Sequence, residues 1–357
     1  MRSPPSRSIV VLAVASLLAG CASIGPAGVQ RDRPDYSSSM ASSWKEQMLL
    51  NIVKFRYFDP PVFLDVSSVV STQELQTQAD ASARVFPHLL TNVSGAQNYY
   101  NFDLQGRYTD RPTVSYTPVT GERFINSLLR PISPQTIFTM IEAGHDASFI
   151  LGLAVRGING IYNSSYSPAR ERREDPAFNQ VRNAIRRIQQ AGAIGMRTVP
   201  SAKGTAAWVS FRPGAGVDRE IRFVKTMLRI AAPRDEFLLI FGSRHKRNEI
   251  AVLTRSMQEI LTELAAGVDV PGEDVADGRA TPSRVPADAE AYPLIHIHSS
   301  NAPPTGAYTV AHYRDLYFWV DDRDLRSKRV FMFLMIMSAL TETRAVPQVP
   351  IVTIPTN

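Results

Sequence analysis

The sequence predicts an α+β protein. Its N-terminal half combines helices with long alternating strands, and its C-terminal half a largely antiparallel sheet with packed helices. Three observations predict this. Apolar residues make up 44% of the 357 positions and charged residues 20%, a globular balance with enough chain for one or two cores. A period-two alternation runs through 74–85 and resumes at 100–109, the signature of strands with one wetter and one drier face. From 194 onward, strand pairs are separated by helical stretches, which implies helices on a mostly antiparallel sheet.

Residues 1–20 read as a secretory signal. Arg2 and Arg7 supply positive charge, and Ile9 to Leu18 is an apolar run of about ten residues, too short for a permanent span. Leu18, Ala19, Gly20 and Cys21 follow. This order resembles the bacterial lipoprotein lipobox, which implies cleavage before Cys21 and lipidation of its thiol. Acyl chains contribute about 0.8 kcal/mol per buried methylene, so several on one residue anchor a protein stably. By resemblance to enteric sorting rules, Ala22 rather than Asp after the cysteine implies the outer membrane, with the protein facing the periplasm. Cys21 is the single cysteine, so lipidation leaves no thiol for a disulfide, a metal or a nucleophile. Removing Arg2 and Arg7 lowers the formal charge from +6 to +4, a mild surplus spread along the chain. That balance, the expected location and the absence of a recognition motif argue against nucleic acid as a partner.

Residues 21–40 are small, polar and Pro/Gly-containing, and predict a flexible tether. A first folded region is expected over 41–165. It opens with a helix over 41–57, with Gln47, Asn51 and Lys54 as a polar stripe and Trp44, Met48, Leu49, Ile52, Val53 and Phe55 on the apolar side. Asp59-Pro60-Pro61 stops it. Val62 to Val70 is rich in β-branched residues. Beyond it, Leu75, Thr77, Ala79, Ala81, Ala83 and Val85 alternate with polar residues, as do Tyr100, Phe102, Leu104 and Tyr108. Gln, Glu and Ala are poor strand formers, so 72–84 is open to either strand or helix. Three helices are expected over 120–162. Thr120 caps the first, Ser133-Pro134 starts a second that stops at Gly144, and the third runs from Ala147 to Tyr162.

The polar segment 163–176 predicts a loop and a boundary, so that 166–357 forms an α+β domain. Pro176 opens a helix lined by Phe178, Val181, Ile185 and Ile188. Strand pairs follow at 194–199 with 206–212 and at 237–241 with 249–253. Helices are expected at 218–230 and 256–266, a loop at 271–291, and strands at 294–298, 307–313 and 316–320. Asp321 or Asp322 then caps a helix whose body, Val330 to Leu340, is apolar nearly all round. Eleven residues cannot span a bilayer, which predicts a buried central helix. A last strand is expected at 349–354.

Chemistry-bearing motifs are sparse. There is no G-x-S-x-G, no P-loop, no H-E-x-x-H and no dinucleotide fingerprint, and no cofactor is implied. Among six histidines, His296 and His298 share one face of a strand, and His312 sits in the next. In a favourable register the three imidazoles would converge as in a catalytic zinc site. His145-Asp146 at a helix end is a weaker dyad candidate. Arg170, Arg172, Arg173, Arg182, Arg186 and Arg187 cluster near the boundary as a candidate docking patch, partly neutralised by Glu171, Glu174 and Asp175.

The stretch from Trp44 to Ser71, with NIVKFRYFDPPVFLDVSSVVS, and that from Tyr108 to Pro134, with YTDRPTVSYTPVTGERFINSLLRPISP, resemble a group of uncharacterised proteobacterial lipoproteins. The resemblance implies the lipoprotein class and carries over no activity or site. More loosely, a lipid anchor with long alternating strands looks like lipoproteins that oligomerise into outer-membrane pores, such as the curli-secretion lipoprotein.

Three functions are consistent with these readings. The first is a non-enzymatic envelope lipoprotein, held to the membrane through lipid on Cys21, that binds or scaffolds a partner protein or itself. The second is an oligomeric pore or secretion component inserting hairpins from 62–118. The third is a periplasmic metal-dependent hydrolase using His296, His298 and His312.

Overall fold

The computed structural model describes residues 26–84, 99–166, 172–201, 204–214, 216–281 and 294–341. The expected signal over 1–20, Cys21, Arg170 and the strand expected at 349–354 lie outside them. The class is α+β with mostly antiparallel sheets. The molecule divides into two units, 62–119 and the remainder, so the division does not fall at the boundary expected near 165.

The smaller unit is one hairpin. β1 (Leu64–Arg84) pairs antiparallel with β2 (Tyr99–Pro118) along their whole lengths. The segment 72–84, open to helix or strand in the sequence, is strand. Alternation combined with a long antiparallel partner outweighs its weak intrinsic propensity. The register sets Leu75, Thr77, Ala79, Ala81 and Ala83 opposite Tyr108, Gly106, Leu104, Phe102 and Tyr100.

In the larger unit, α1 (Pro26–Arg56) begins well before the expected start, so 26–40 is helical rather than a loose tether. Met48, Leu49, Ile52 and Val53 are buried while 37–41 are exposed. A helix held by its packed end propagates into such a polar run at one hydrogen bond per residue, except at Pro34, which has no N–H to donate. Asn51, placed on the polar stripe, is buried instead. α2 (Gly121–Phe124) continues into a π turn at Ile125–Leu129, and Thr120 makes no side-chain cap. Ser133 caps α3 (Pro134–Glu142) by accepting from the Thr136 N–H.

α4 (Ala147–Ala154) ends earlier than expected, because the chain turns into β3 (Val155–Ile158) and β4 (Ile161–Tyr162). Asn159 and Gly160 make the two-residue turn with φ of 47° and 83°. Positive φ at both positions is the tight hairpin geometry that Asn-Gly favours.

α5 (Pro176–Gln190) buries the four predicted residues. β5 (Ile194–Ser201), β6 (Gly204–Phe211), α6 (Asp218–Met227), β7 (Glu236–Phe241), β8 (Glu249–Thr254) and α7 (Met257–Ala265) follow. Ser256 and Glu259 form a reciprocal capping box on α7. Six strands form one sheet in the order β4-β3-β8-β7-β6-β5. β7 and β8 run parallel, although their short connection suggests a hairpin. Helix α3 packs on β5, β7 and β8, and α4 and α6 flank α5.

The short helix α8 (Gly272–Ala276) lies in the expected loop. A second sheet, ordered β10-β11-β9, is built from β9 (His298–Ser300), β10 (Ala307–Tyr313) and β11 (Leu316–Asp321). Helix α1 lies against β10, β11 and α7. α9 (Leu325–Thr341) buries Val330, Phe331, Phe333, Leu334 and Met337. It is not apolar-packed all round: Met332, Met335 and Leu340 are exposed. Its N-terminal donors from Arg326 and Ser327 go to Asp324, not to Asp321 or Asp322. Among the described residues, no helix is long and apolar enough to cross a membrane.

Candidate functional site

The strand expected over 294–298 instead starts at His298. The chain just before it runs beside the end of α7. Val268 and Ile297 form a parallel bridge: Asp269 N–H donates to the Ile297 carbonyl at 2.8 Å, and Ile297 N–H to the Gly267 carbonyl at 2.9 Å. Gly267 is required here, because a Cβ on it would stand 2.0 Å from the Ile295 carbonyl oxygen. Val268, Ile295 and Ile297 are buried. This alternation turns His296 and His298 outward, next to Asp269.

The result is a compact trio. His296 Nε2 lies 2.7 Å from Asp269 Oδ2, and His298 Nδ1 lies 3.8 Å from the same oxygen. The imidazole centroids are 4.0 Å apart, and His298 stacks on Trp319 of β11 at 4.5 Å. The mount comes from α9. Ser327, fully buried, accepts from the His296 backbone N–H at 3.0 Å and donates to Asp324 Oδ2 at 2.5 Å.

The electrostatics follow from these contacts. The hydrogen bond to Asp269 raises the His296 pKa above the ordinary imidazole value, against a smaller opposing effect of burial. Burial lowers the His298 pKa, and the neighbouring His296 lowers it further. Burial pushes Asp324 up, but hydrogen bonds from Ser327 and Arg326 outweigh it and hold the carboxyl below its usual range.

His312 does not join this trio. β11 separates β10 from β9, so His312 stands two strand spacings, about 10 Å, from β9. It is exposed, with its ring 4.9 Å from Tyr317. The carboxylate that does join, Asp269, lies 27 positions before His296. That separation matches no ligand spacing, and the Val268–Ile297 bridge brings the two together.

The arginine cluster is dispersed into pairs. Arg182 meets Glu174 at 3.6 Å, Arg186 meets Asp146 at 3.0 Å and Arg187 meets Glu220 at 3.3 Å. Arg172 lies over the Tyr162 ring at 3.9 Å, Arg173 is exposed, and Arg170 is outside the described residues. The Asp146 carboxylate is engaged as the α4 cap, accepting from Phe149 N–H at 2.8 Å as well as pairing with Arg186.

A second buried polar cluster, unforeseen in the sequence, closes α1. Arg56, 1% exposed, donates to the Tyr166 hydroxyl, to Thr281 Oγ1 at 2.8 Å and to the Thr281 carbonyl at 2.7 Å. Tyr57 donates to Asp274 at 2.5 Å, and Arg279 meets Asp274 from the other side at 2.8 Å. These contacts bind the helix end to the segment after α7. No family model matches the chain, and no curated protein or solved structure matches it either.

Proposed function

We propose that this chain is a lipid-anchored protein of the bacterial outer membrane that faces the periplasm and binds or scaffolds other envelope proteins, with the β1–β2 hairpin as its binding element. The observation that carries this reading is the hairpin itself. Its strands have 21 and 20 residues, about 65 Å at roughly 3.3 Å per residue. It forms a unit of its own, and no third strand joins its sheet among the described residues. A long two-stranded ribbon offers edges for strand addition, in which main-chain hydrogen bonds supply affinity.

The experiment is crosslinking in cells, followed by purification of the intact protein and of a form with 62–119 replaced by a short Gly/Ser linker. Leu64 and Pro118 are register partners, so a short linker closes the gap. The intact form is expected to capture defined partners and the shortened form to lose them. Identical capture by both, or none by either, sinks the reading.

A second reading is favoured by the register. It opposes the drier row of one strand to the drier row of the other, and partners in an antiparallel pair share a face. Copies of such a ribbon suit a shared barrel, whose membrane strands need about nine to eleven residues each. A ring-shaped oligomer in detergent supports this reading, and a monomer released intact from its lipid excludes it.

A further inference from the structure

We infer that Asp269, His296 and His298 form a binding site for one divalent first-row transition ion, zinc being the ion its chemistry suits best. The inference concerns the larger unit and does not depend on the hairpin reading. The donor atoms of the three side chains all lie within 4.8 Å of one another. An ion held at about 2.0–2.2 Å from imidazole nitrogen and carboxylate oxygen requires donors roughly 3.3 Å apart in tetrahedral geometry. The two contacts to Asp269 Oδ2, at 2.7 and 3.8 Å, bracket that value, and the imidazole donors lie within 4.8 Å of each other, so side-chain adjustment of at most about 1.5 Å completes the cage.

The donor set selects the class of ion. Two imidazoles suit zinc and its neighbours, whereas calcium and magnesium take oxygen donors, of which the trio offers one carboxylate. Binding replaces the proton held between His296 Nε2 and Asp269 Oδ2, since a ligating imidazole must be neutral. The backbone carrying the trio is already set by the Val268–Ile297 bridge, by close packing at Gly267 and by the Ser327–Asp324 mount on α9. The side chains of His296, His298 and Asp269 keep 36%, 32% and 49% of their surface. Solvent therefore reaches the ion, and with three protein ligands one position stays open, as in sites that activate water or take an external ligand.

The test uses the full-length protein purified without a histidine tag, stripped with EDTA and titrated with zinc sulfate against a chromogenic chelator. One zinc per chain is expected. Loss of an outer partner of a ligand typically weakens a metal site 10–100-fold. Loss of a ligand itself, in Asp269→Asn, His296→Gln or His298→Gln, is therefore expected to weaken binding by about 100-fold or more. His312→Gln is expected to bind as the parent does.

Absence of stoichiometric zinc in the parent, or parent-like affinity in all three ligand variants, overturns the inference. Should a variant melt early by circular dichroism, cobalt(II) added to the parent protein decides. Intense visible absorption typical of four- or five-coordinate cobalt supports the site, and the weak spectrum of aqueous cobalt sinks it.

Discussion

Tyr57 and Arg255 are polar residues placed where water does not reach. Burial and the hydrogen bond to Asp274 push the Tyr57 phenol well above its ordinary pKa. A group whose folded pKa is raised contributes stability that is full below its unfolded pKa and lost as pH rises beyond it. Unfolding free energy is thus expected to fall above about pH 10, the ordinary phenol value, and Tyr57→Phe to flatten that fall. The same variant removes a hydrogen bond to a charged group, about 1.5–3 kcal/mol at neutral pH; urea unfolding across pH reads both effects. Arg255 donates to the carbonyls of Gly152, Leu153 and Ser164 and pairs with Glu263 at 3.3 Å. Glu263→Ala would leave that guanidinium buried without its partner, a loss of about 3–5 kcal/mol visible as a lower urea midpoint. Neither residue stands out in the sequence, because a lone arginine after an apolar strand reads as surface.

At the level of elements, periodicity predicted most helices and strands, and the departures have identifiable causes. The helix expected to run to Tyr162 breaks at Val155, where the chain enters the sheet beside β8. Asn159-Gly160 carried the hairpin signal, hidden inside an apolar run that also suits a helix. Helix α9 was expected to be surrounded by core. Its buried face predicts a loss of about 2–5 kcal/mol for Leu334→Ala. On the exposed face, Met332→Gln should stay within about 0.5 kcal/mol, a contrast that thermal or urea melts of the two variants resolve. Composition alone cannot separate a helix packed on every side from one packed on a single side, since both faces of α9 are apolar.

For the whole molecule, division into a hairpin unit and a body predicts that replacing 62–119 by a linker leaves the main unfolding transition unchanged in calorimetry. A large fall in its midpoint would mean that the hairpin supports the body. The lipoprotein reading makes its own prediction. Cys21→Ser should move the protein from the membrane fraction to the soluble periplasmic fraction, and mass spectrometry of the native protein should find Cys21 as an acylated first residue. An unmodified thiol with the leader still attached would remove the anchor.

The sequence by itself determined the mixed class, the strand character of 100–109, the faces of α5 and the cap at Ser133. These depend on neighbours a few positions apart, where backbone geometry and side-chain period act directly. It also singled out His296 and His298. Only the tertiary structure decided that Asp269, not His312, completes their trio, that β7 and β8 run parallel, and that Arg56 and Arg255 are interior. Each of these depends on segments far apart in the chain meeting through strand order or a single bridge. Local pattern carries no record of such meetings, because their energy comes from packing and from buried polar groups finding distant partners.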